Sequence, residues 1–157
     1  MNKLMNLIGI RARKASQKNI NTKIKNKVLN DYAKLIDKEK IFIIKENIKD
    51  IKFAKTRGIK QNLINRLEIN NERLLEIISS IKKISKLKDP VNITLKSWNT
   101  PNGLNIKRVT IPIGIIGIIY ESRPNVTSDV ASLCFKSGNA VILKGGSEAI
   151  NTNRILA

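Results

Sequence analysis

The 157 residues are about the size of one ordinary domain, and a hydrophobic share of 41% is enough to bury a core. One cysteine and no histidine exclude an internal disulfide, a Cys- or His-built metal site, and Ser-His-Asp or Cys-His catalysis within the chain, and they fit a reducing cytoplasm. Of 30 basic and 12 acidic residues, only four and three lie from Ile111 onward, leaving 26 and 9 before it, so 17 of the 18 excess positive charges sit in the first part.

Those charges are spread along predicted helices instead of forming one block, and aromatic residues make up only 4% of the chain. Lysine-coated solvent faces therefore account for them better than a nucleic-acid or acidic-membrane surface, which would also need stacking platforms or a basic block. Met1–Asn30 has no acidic residue, in the manner of a mitochondrial presequence. Its apolar stretch is too short for a secretory signal, however, and no small-residue cleavage site follows.

The first ninety residues read as helices. Asn21-Thr22 can cap a helix with Ile24, Val28, Tyr32 and Leu35 at helical spacing. Ile41, Ile44, Ile48 and Ile51 continue that period towards Ala54, and Gly58 supplies a stop. After Asn71 comes the clearest stripe, Leu74, Ile77, Ile78, Ile81 and Ile84, opposite Lys82, Lys83 and Lys86. These stripes are expected to be packing faces. Pro90 closes the helical region, because proline disfavours a helical residue before it.

Val91–Leu95 alternates as a half-buried strand does. Thr100-Pro101-Asn102-Gly103 is a turn signal, and Ile106–Ile113 is expected to pair back across it, with Pro112 marking an edge or a break. Ile111–Tyr120 is the most apolar run, but it is ten residues long and contains Pro112, Gly114 and Gly117. A membrane span needs roughly 20 apolar residues, so the run reads as strand. Ile115–Tyr120 suits a parallel strand buried on both faces. Pro124 suits the first turn of a helix with Val126, Val130, Leu133 and Cys134 inward, closed by Gly138-Asn139. Ala140–Leu143 reads as a second strand, and Lys144-Gly145-Gly146-Ser147 turns into a last helix with Ser147 as N-cap and Ile150 inward. The expected architecture is α/β: residues 1–90 helical, 91–113 a hairpin, and 114–157 the start of a βαβα sheet unit. Only the first strands of that parallel sheet are present, so an apolar edge and face should stand uncovered. Ligands of such sheets gather beyond the carboxyl ends of the strands, where Glu121–Asn125 and Lys144–Glu148 would meet.

Ile115-Ile116-Gly117-Ile118-Ile119-Tyr120-Glu121-Ser122-Arg123-Pro124-Asn125-Val126-Thr127 closely resembles the signature of the γ-glutamyl phosphate reductases. Leu133 through Ala149 continues the pattern, and Pro101-Asn102-Gly103-Leu104, Asp89-Pro90-Val91, Arg57-Gly58 and Arg66-Leu67 agree with it. The resemblance implies an aldehyde-dehydrogenase-like fold, with a Rossmann-like nucleotide-binding sheet, an oligomerisation hairpin at 91–113 and a separate catalytic domain. It implies NADPH-dependent reduction of glutamyl 5-phosphate to glutamate 5-semialdehyde in proline biosynthesis, a homo-oligomer, and association with a glutamate 5-kinase. The family's nucleophilic cysteine is expected downstream of Ala157. The 157 residues, as a fragment or a truncated form, are therefore expected to lack reductase activity alone. A non-catalytic remnant that binds nucleotide or a partner chain is the alternative, and a basic nucleic-acid-binding protein a third.

By the same resemblance, Asn125 takes the place of the asparagine whose amide donates to the developing oxyanion; its bland reading is a helix cap. Lys144 matches the lysine that holds the adenosine ribose and its 2′-phosphate, with Gly145 and Gly146 letting the backbone approach. Ser147 stands where NAD-preferring relatives often carry an acid. The bland reading of Lys144 is a solvated lysine. Ser122 and Arg123 could hold a substrate carboxylate or phosphate, or Arg123 could pair with Glu121 or Asp129. Cys134, between Leu133 and Phe135, reads as a packing residue. No metal ligands are expected.

Overall fold

The computed structural model describes residues 3–157. Five helices come first: α1 (Lys3–Ser16), α2 (Thr22–Lys38), α3 (Lys40–Thr56), α4 (Gln61–Leu67) and α5 (Asn71–Lys86). An antiparallel hairpin of β1 (Thr94–Asn99) and β2 (Asn105–Val109) follows. Then come β3 (Ile115–Ile119), α6 (Asn125–Lys136), β4 (Ala140–Lys144), a 3₁₀ turn (Ser147–Ala149) and α7 (Ile150–Leu156). β3 and β4 pair in parallel with Ile115 opposite Ala140 and Ile119 opposite Lys144. α6 is thus the crossover between two parallel strands, which places both strand ends and the α6 N-terminus along one edge.

α2 begins where its cap requires, with Asn21 Oδ1 accepting from Ile24 N at 2.9 Å. α5 is capped in the same way, by Asn70 accepting from Arg73 N. Its stripe Leu74, Ile77, Ile78, Ile81 and Ile84 is buried throughout, and it meets Leu29, Ala33, Ile36, Ile43, Ile69 and Leu156 in the main core. Neighbouring helices keep other faces than their apolar spacing suggests. In α2 the buried residues are Lys25, Leu29, Ala33 and Ile36, while Ile24, Val28 and Leu35 are exposed. In α3 they are Ile43, Asn47, Asp50 and Ala54, while Ile41 is 79% exposed and Ile48 is also outside.

Two buried polar side chains explain the face that α3 presents. Asn47 donates to the Leu67 carbonyl at 2.9 Å and to Thr152 Oγ1 at 3.1 Å, and accepts from Ile69 N at 2.7 Å. Asp50 accepts from the backbone N–H and side-chain amide of Asn151 and from the backbone N–H and hydroxyl of Thr152. α3 therefore pins both the α4–α5 connection and the start of α7. A buried polar group is tolerated only when its hydrogen bonds are met, and here they are.

The hairpin and the sheet depart from expectation. β1 begins at Thr94, not Val91, after Asn92 turns through φ 60, and both hairpin strands are exposed along their length instead of half-buried. β2 stops at Val109, short of Pro112, which cannot donate to a ladder. β3 is not covered on both faces: Ile116 and Ile118 are half-buried, while Ile113, Ile115 and Ile119 stand exposed. α1 borders that second face at Ile115, which lines a cleft with Gly9, Ile10 and Arg13. Leu133 and Ile150 also point outward, at 49% and 43% exposure, because the inner faces of α6 and α7 are carried by Ser128, Ser132, Cys134, Thr152 and Leu156.

The base of the hairpin is fastened by charge. Lys25, 3% exposed, donates to Asp89 at 3.0 Å, and Thr22 Oγ1 and Val91 N donate to the same carboxylate. Nearby, Lys136 Nζ reaches Asn26 Oδ1 at 2.5 Å and the Ser85 carbonyl at 2.9 Å. Burial pushes the Asp89 pKa upward, but the hydrogen bonds from Thr22, Lys25 and Val91 and the charge of Lys25 outweigh it and leave the group below its ordinary value of 3.8. A carboxylate with a lowered folded pKa contributes stability that is complete above the unfolded value and is lost as pH falls through the folded one. Chemical denaturation followed from neutral pH down to about pH 2 should therefore show an acid-side loss that Asp89→Asn reduces. An unchanged acid limb in that variant would contradict this coupling.

Candidate functional site at the strand ends

Past Ile119 and Lys144 the chain makes two turns that lock together. Tyr120 N donates to the Lys144 carbonyl, extending the parallel ladder by one bond. Ser122 then adopts φ 46, a left-handed conformation that a side chain tolerates only when held. What holds it is Glu148, whose Oε1 accepts from Ser122 N at 2.6 Å and from Ser122 Oγ at 3.0 Å. Burial raises the Glu148 pKa, yet hydrogen bonds from its own backbone N–H and from Ser122 win and keep it below the usual range. Ser122 is thus a buried clasp between the two turns and not an open contact.

Two clefts flank this clasp. The first, of about 620 Å³, is lined by Tyr120, Lys144, Gly145, Gly146, Ser147 and Glu148 among others. Lys144 and Ser147 are exposed there, and the Lys144 ammonium has no carboxylate within ion-pair distance among the described residues. The N–H groups of Gly145 and Gly146 find no acceptor among the described residues. The Cα of each glycine, in contrast, is covered: a Cβ on Gly146 would meet Glu148 Oε1 at 2.2 Å, and one on Gly145 would meet Asn153 Nδ2 at 2.1 Å. These glycines make room for the protein's own carboxylate and amide, while their N–H groups stay available. Ser147 does not cap the following turn with its side chain, contrary to expectation, because it is already the first residue of the turn and Gly146 stands at the N-cap.

The second cleft, of about 390 Å³, lies between α4, α5 and the start of α6. Arg123 and Asn125 line it, together with Arg66, Arg73, Glu76 and Asp129. Arg123 pairs with neither Glu121 nor Asp129. Asn125 is the first residue of α6 and makes no side-chain cap; its Nδ2 donates to Asp129 Oδ2, one turn on, at 3.2 Å. An amide at that distance is weakly held and keeps its second N–H free. Sequence reasoning places Asn125 and Lys144 on one edge, which the fold confirms, but in separate clefts. It misses Arg73 and Asp129 as cleft residues, and the clasp role of Glu148. Their only signal lies in contacts between residues far apart in the chain.

Cys134 lines neither cleft. It is 6% exposed inside α6, and burial pushes its thiol pKa upward, which disfavours the reactive thiolate. Among the described residues no group of three or more acidic, cysteine or histidine side chains is arranged to hold a metal, and no helix is long and apolar enough to cross a membrane.

Comparison with known proteins gives one consistent answer. No family model matches the chain. A gamma-glutamyl phosphate reductase of Aquifex aeolicus is 47% identical over 137 residues, 87% of this chain and 32% of that protein. The crystal structure of gamma-glutamyl phosphate reductase from Thermotoga maritima superposes with a TM-score of 0.89 at 42% identity, covering 92% of this chain and 36% of that one. A putative aldehyde dehydrogenase of Bacillus subtilis shares the fold alone, with a TM-score of 0.64 at 16% identity. The chain spans about a third of the length of the relatives it matches. Sequence and fold agree over nearly all of its length: the chain belongs to the gamma-glutamyl phosphate reductase family, within the aldehyde-dehydrogenase-like fold.

Proposed function

We propose that these residues form the cofactor-holding and oxyanion-donating part of an NADPH-dependent reductase that converts glutamyl 5-phosphate to glutamate 5-semialdehyde in proline biosynthesis. The observation that carries this reading is the Lys144 ammonium at the end of β4, unpaired among the described residues, beside two backbone N–H groups that none of those residues accepts from. A compact cation and free N–H donors suit a phosphate, and the Glu148 carboxylate, which lines the same cleft, is engaged by the N–H and hydroxyl of Ser122. Lys144 would hold the 2′-phosphate and ribose, with Gly145, Gly146 and Ser147 beside it. NADPH, when bound, supplies the hydride.

The chain's own part in the chemistry is electrostatic. Asn125 presents a side-chain N–H to the charge that develops on the acyl oxygen, and Asp129 holds the amide plane by its other N–H. Arg123 supplies a fixed positive charge in the same cleft for a substrate anion. No thiol reaches either cleft, so the 157 residues alone are proposed to bind cofactor without turning substrate over. The exposed hairpin β1–β2 is proposed as the contact between copies in a homo-oligomer.

Titration of the chain with NADPH and NADH by tryptophan or nicotinamide fluorescence tests the cofactor assignment. Saturable NADPH binding is expected, and Lys144→Gln should weaken it by roughly tenfold or more while leaving the weaker NADH binding nearly unchanged. Equal loss for both cofactors, or none for either, would remove Lys144 from the 2′-phosphate.

A further inference from the structure

The second cleft contains charges of both signs that do not satisfy one another. Arg66 and Arg123 make no ion pair and no side-chain hydrogen bond among the described residues, and neither does Glu76, although all three line the same cavity. Arg73 is committed elsewhere: its Nη1 donates to the carbonyls of Asn65 and Glu68, which pins the turn that carries Arg66. Asp129 is the most telling member. Its Oδ2 accepts from Asn125, but its Oδ1 is out of contact with solvent and no protein donor reaches it. A buried carboxylate oxygen without a donor costs on the order of 1–3 kcal/mol unless something completes it. A purely anionic ligand would answer the arginines and worsen Asp129. A zwitterion answers both.

We infer that this cleft receives the α-amino acid end of the substrate, Arg66 and Arg123 taking the α-carboxylate and Asp129 the α-ammonium. The inference deepens the proposed function, since it rests on a glutamyl substrate whose reacting carbon lies under Asn125. Guanidinium groups present planar paired donors that match a carboxylate, and an ammonium brings three donors to an oxygen that has none. A modest turn of the Asp129 carboxylate, whose terminal torsion is broad, brings Oδ1 to the ligand while Asn125 stays in reach. The arrangement selects for an amino acid over a simple dicarboxylate, and it fixes the substrate by the end remote from the chemistry.

The test titrates the unmodified chain with L-glutamate, glutarate and inorganic phosphate, following backbone amide shifts at residues 66–76 and 123–129. Glutarate keeps both carboxylates and the chain length but lacks the amino group. Expected are saturable shifts with L-glutamate, about tenfold or more weaker binding of glutarate, and no displacement of glutamate by phosphate. Asp129→Asn should erase the preference for glutamate over glutarate, and Arg66→Gln and Arg123→Gln should each weaken glutamate about tenfold or more. Glutarate binding as tightly as glutamate would overturn the ammonium assignment. Phosphate displacing glutamate would make the arginines a phosphate subsite and overturn the carboxylate assignment. The ligand series needs no variant to fold. Loss of NADPH binding with retained glutamate selectivity would count against the cofactor reading alone, so the two can fail separately.

Discussion

Asp50→Ala is expected to destabilise the protein by about 4 kcal/mol, the largest single effect on stability, and to leave α7 undocked. The side chain is 1% exposed and accepts four hydrogen bonds, two of them from the N–H groups of Asn151 and Thr152 in the first turn of α7. Those N–H groups have no partner within their own helix, because the first four of any helix lack one. Alanine removes the acceptor and leaves the N–H and O–H of Thr152, itself fully buried, without an acceptor. Asn47 loses orientation too, since its amide donates to the same Thr152 hydroxyl. The urea midpoint read by circular dichroism measures the effect. Asp50→Asn, which keeps one acceptor oxygen, should fall between wild type and alanine. A loss below about 1 kcal/mol for alanine would mean that water enters and replaces the carboxylate.

Asn125→Ala is the second large expectation. Within a complete reductase carrying these residues, kcat should fall by roughly 10²–10³, with the NADPH dissociation constant essentially unchanged. The residue is exposed at the start of α6, caps nothing and makes one long side-chain bond, to Asp129, so its removal should alter the melting temperature only slightly. That separation makes the result readable: a structural asparagine would cost stability, whereas an oxyanion donor costs rate. Burst and steady-state rates with glutamyl phosphate would measure it. A fall of less than about tenfold would assign the oxyanion to other donors.

Much of the fold can be read locally, and the exceptions share a cause. The α5 stripe is legible because its isoleucines and leucines occupy one face with lysines opposite, and nothing polar competes. α3 carries apolar residues on several faces, so period alone does not choose among them. The choice is made by Asn47 and Asp50, whose partners lie 20 to 105 residues away. β3 reads as doubly buried from its apolar run, but burial depends on what lies above the sheet, and here Ile116 and Ile118 are half-buried while Ile115 and Ile119 stay exposed. At the site, Asn125, Lys144 and the glycine turn can be located from the motif. The two-cleft arrangement cannot, because Arg66 on α4, although its dipeptide fits the family pattern, and Arg73 on α5 reach the cleft only through the packing of these helices near the start of α6. Ser122 reads as a ligand contact by its position beside Arg123, whereas its left-handed backbone and its bond to Glu148 give it a structural task.

The bond from Asp50 to Thr152 spans 102 residues, and this sets the order in which a nascent chain can become native. At a synthesis rate of about 5–20 residues per second, α3 leaves the ribosome roughly 5–20 seconds before its partner does. During that interval the helices can collapse on the α2–α5 stripe, but the α3 face stays hydrated, since closing it would strand a bare carboxylate. Tyr32 waits longer, for the Leu156 carbonyl 124 residues on. α7, from its first turn to Leu156, therefore acts as the latch on the first half of the chain. Ribosomes stalled with residue 152 still inside the exit tunnel should hold a helical layer that proteases cut within α3, and stalling after Thr152 has emerged should protect it.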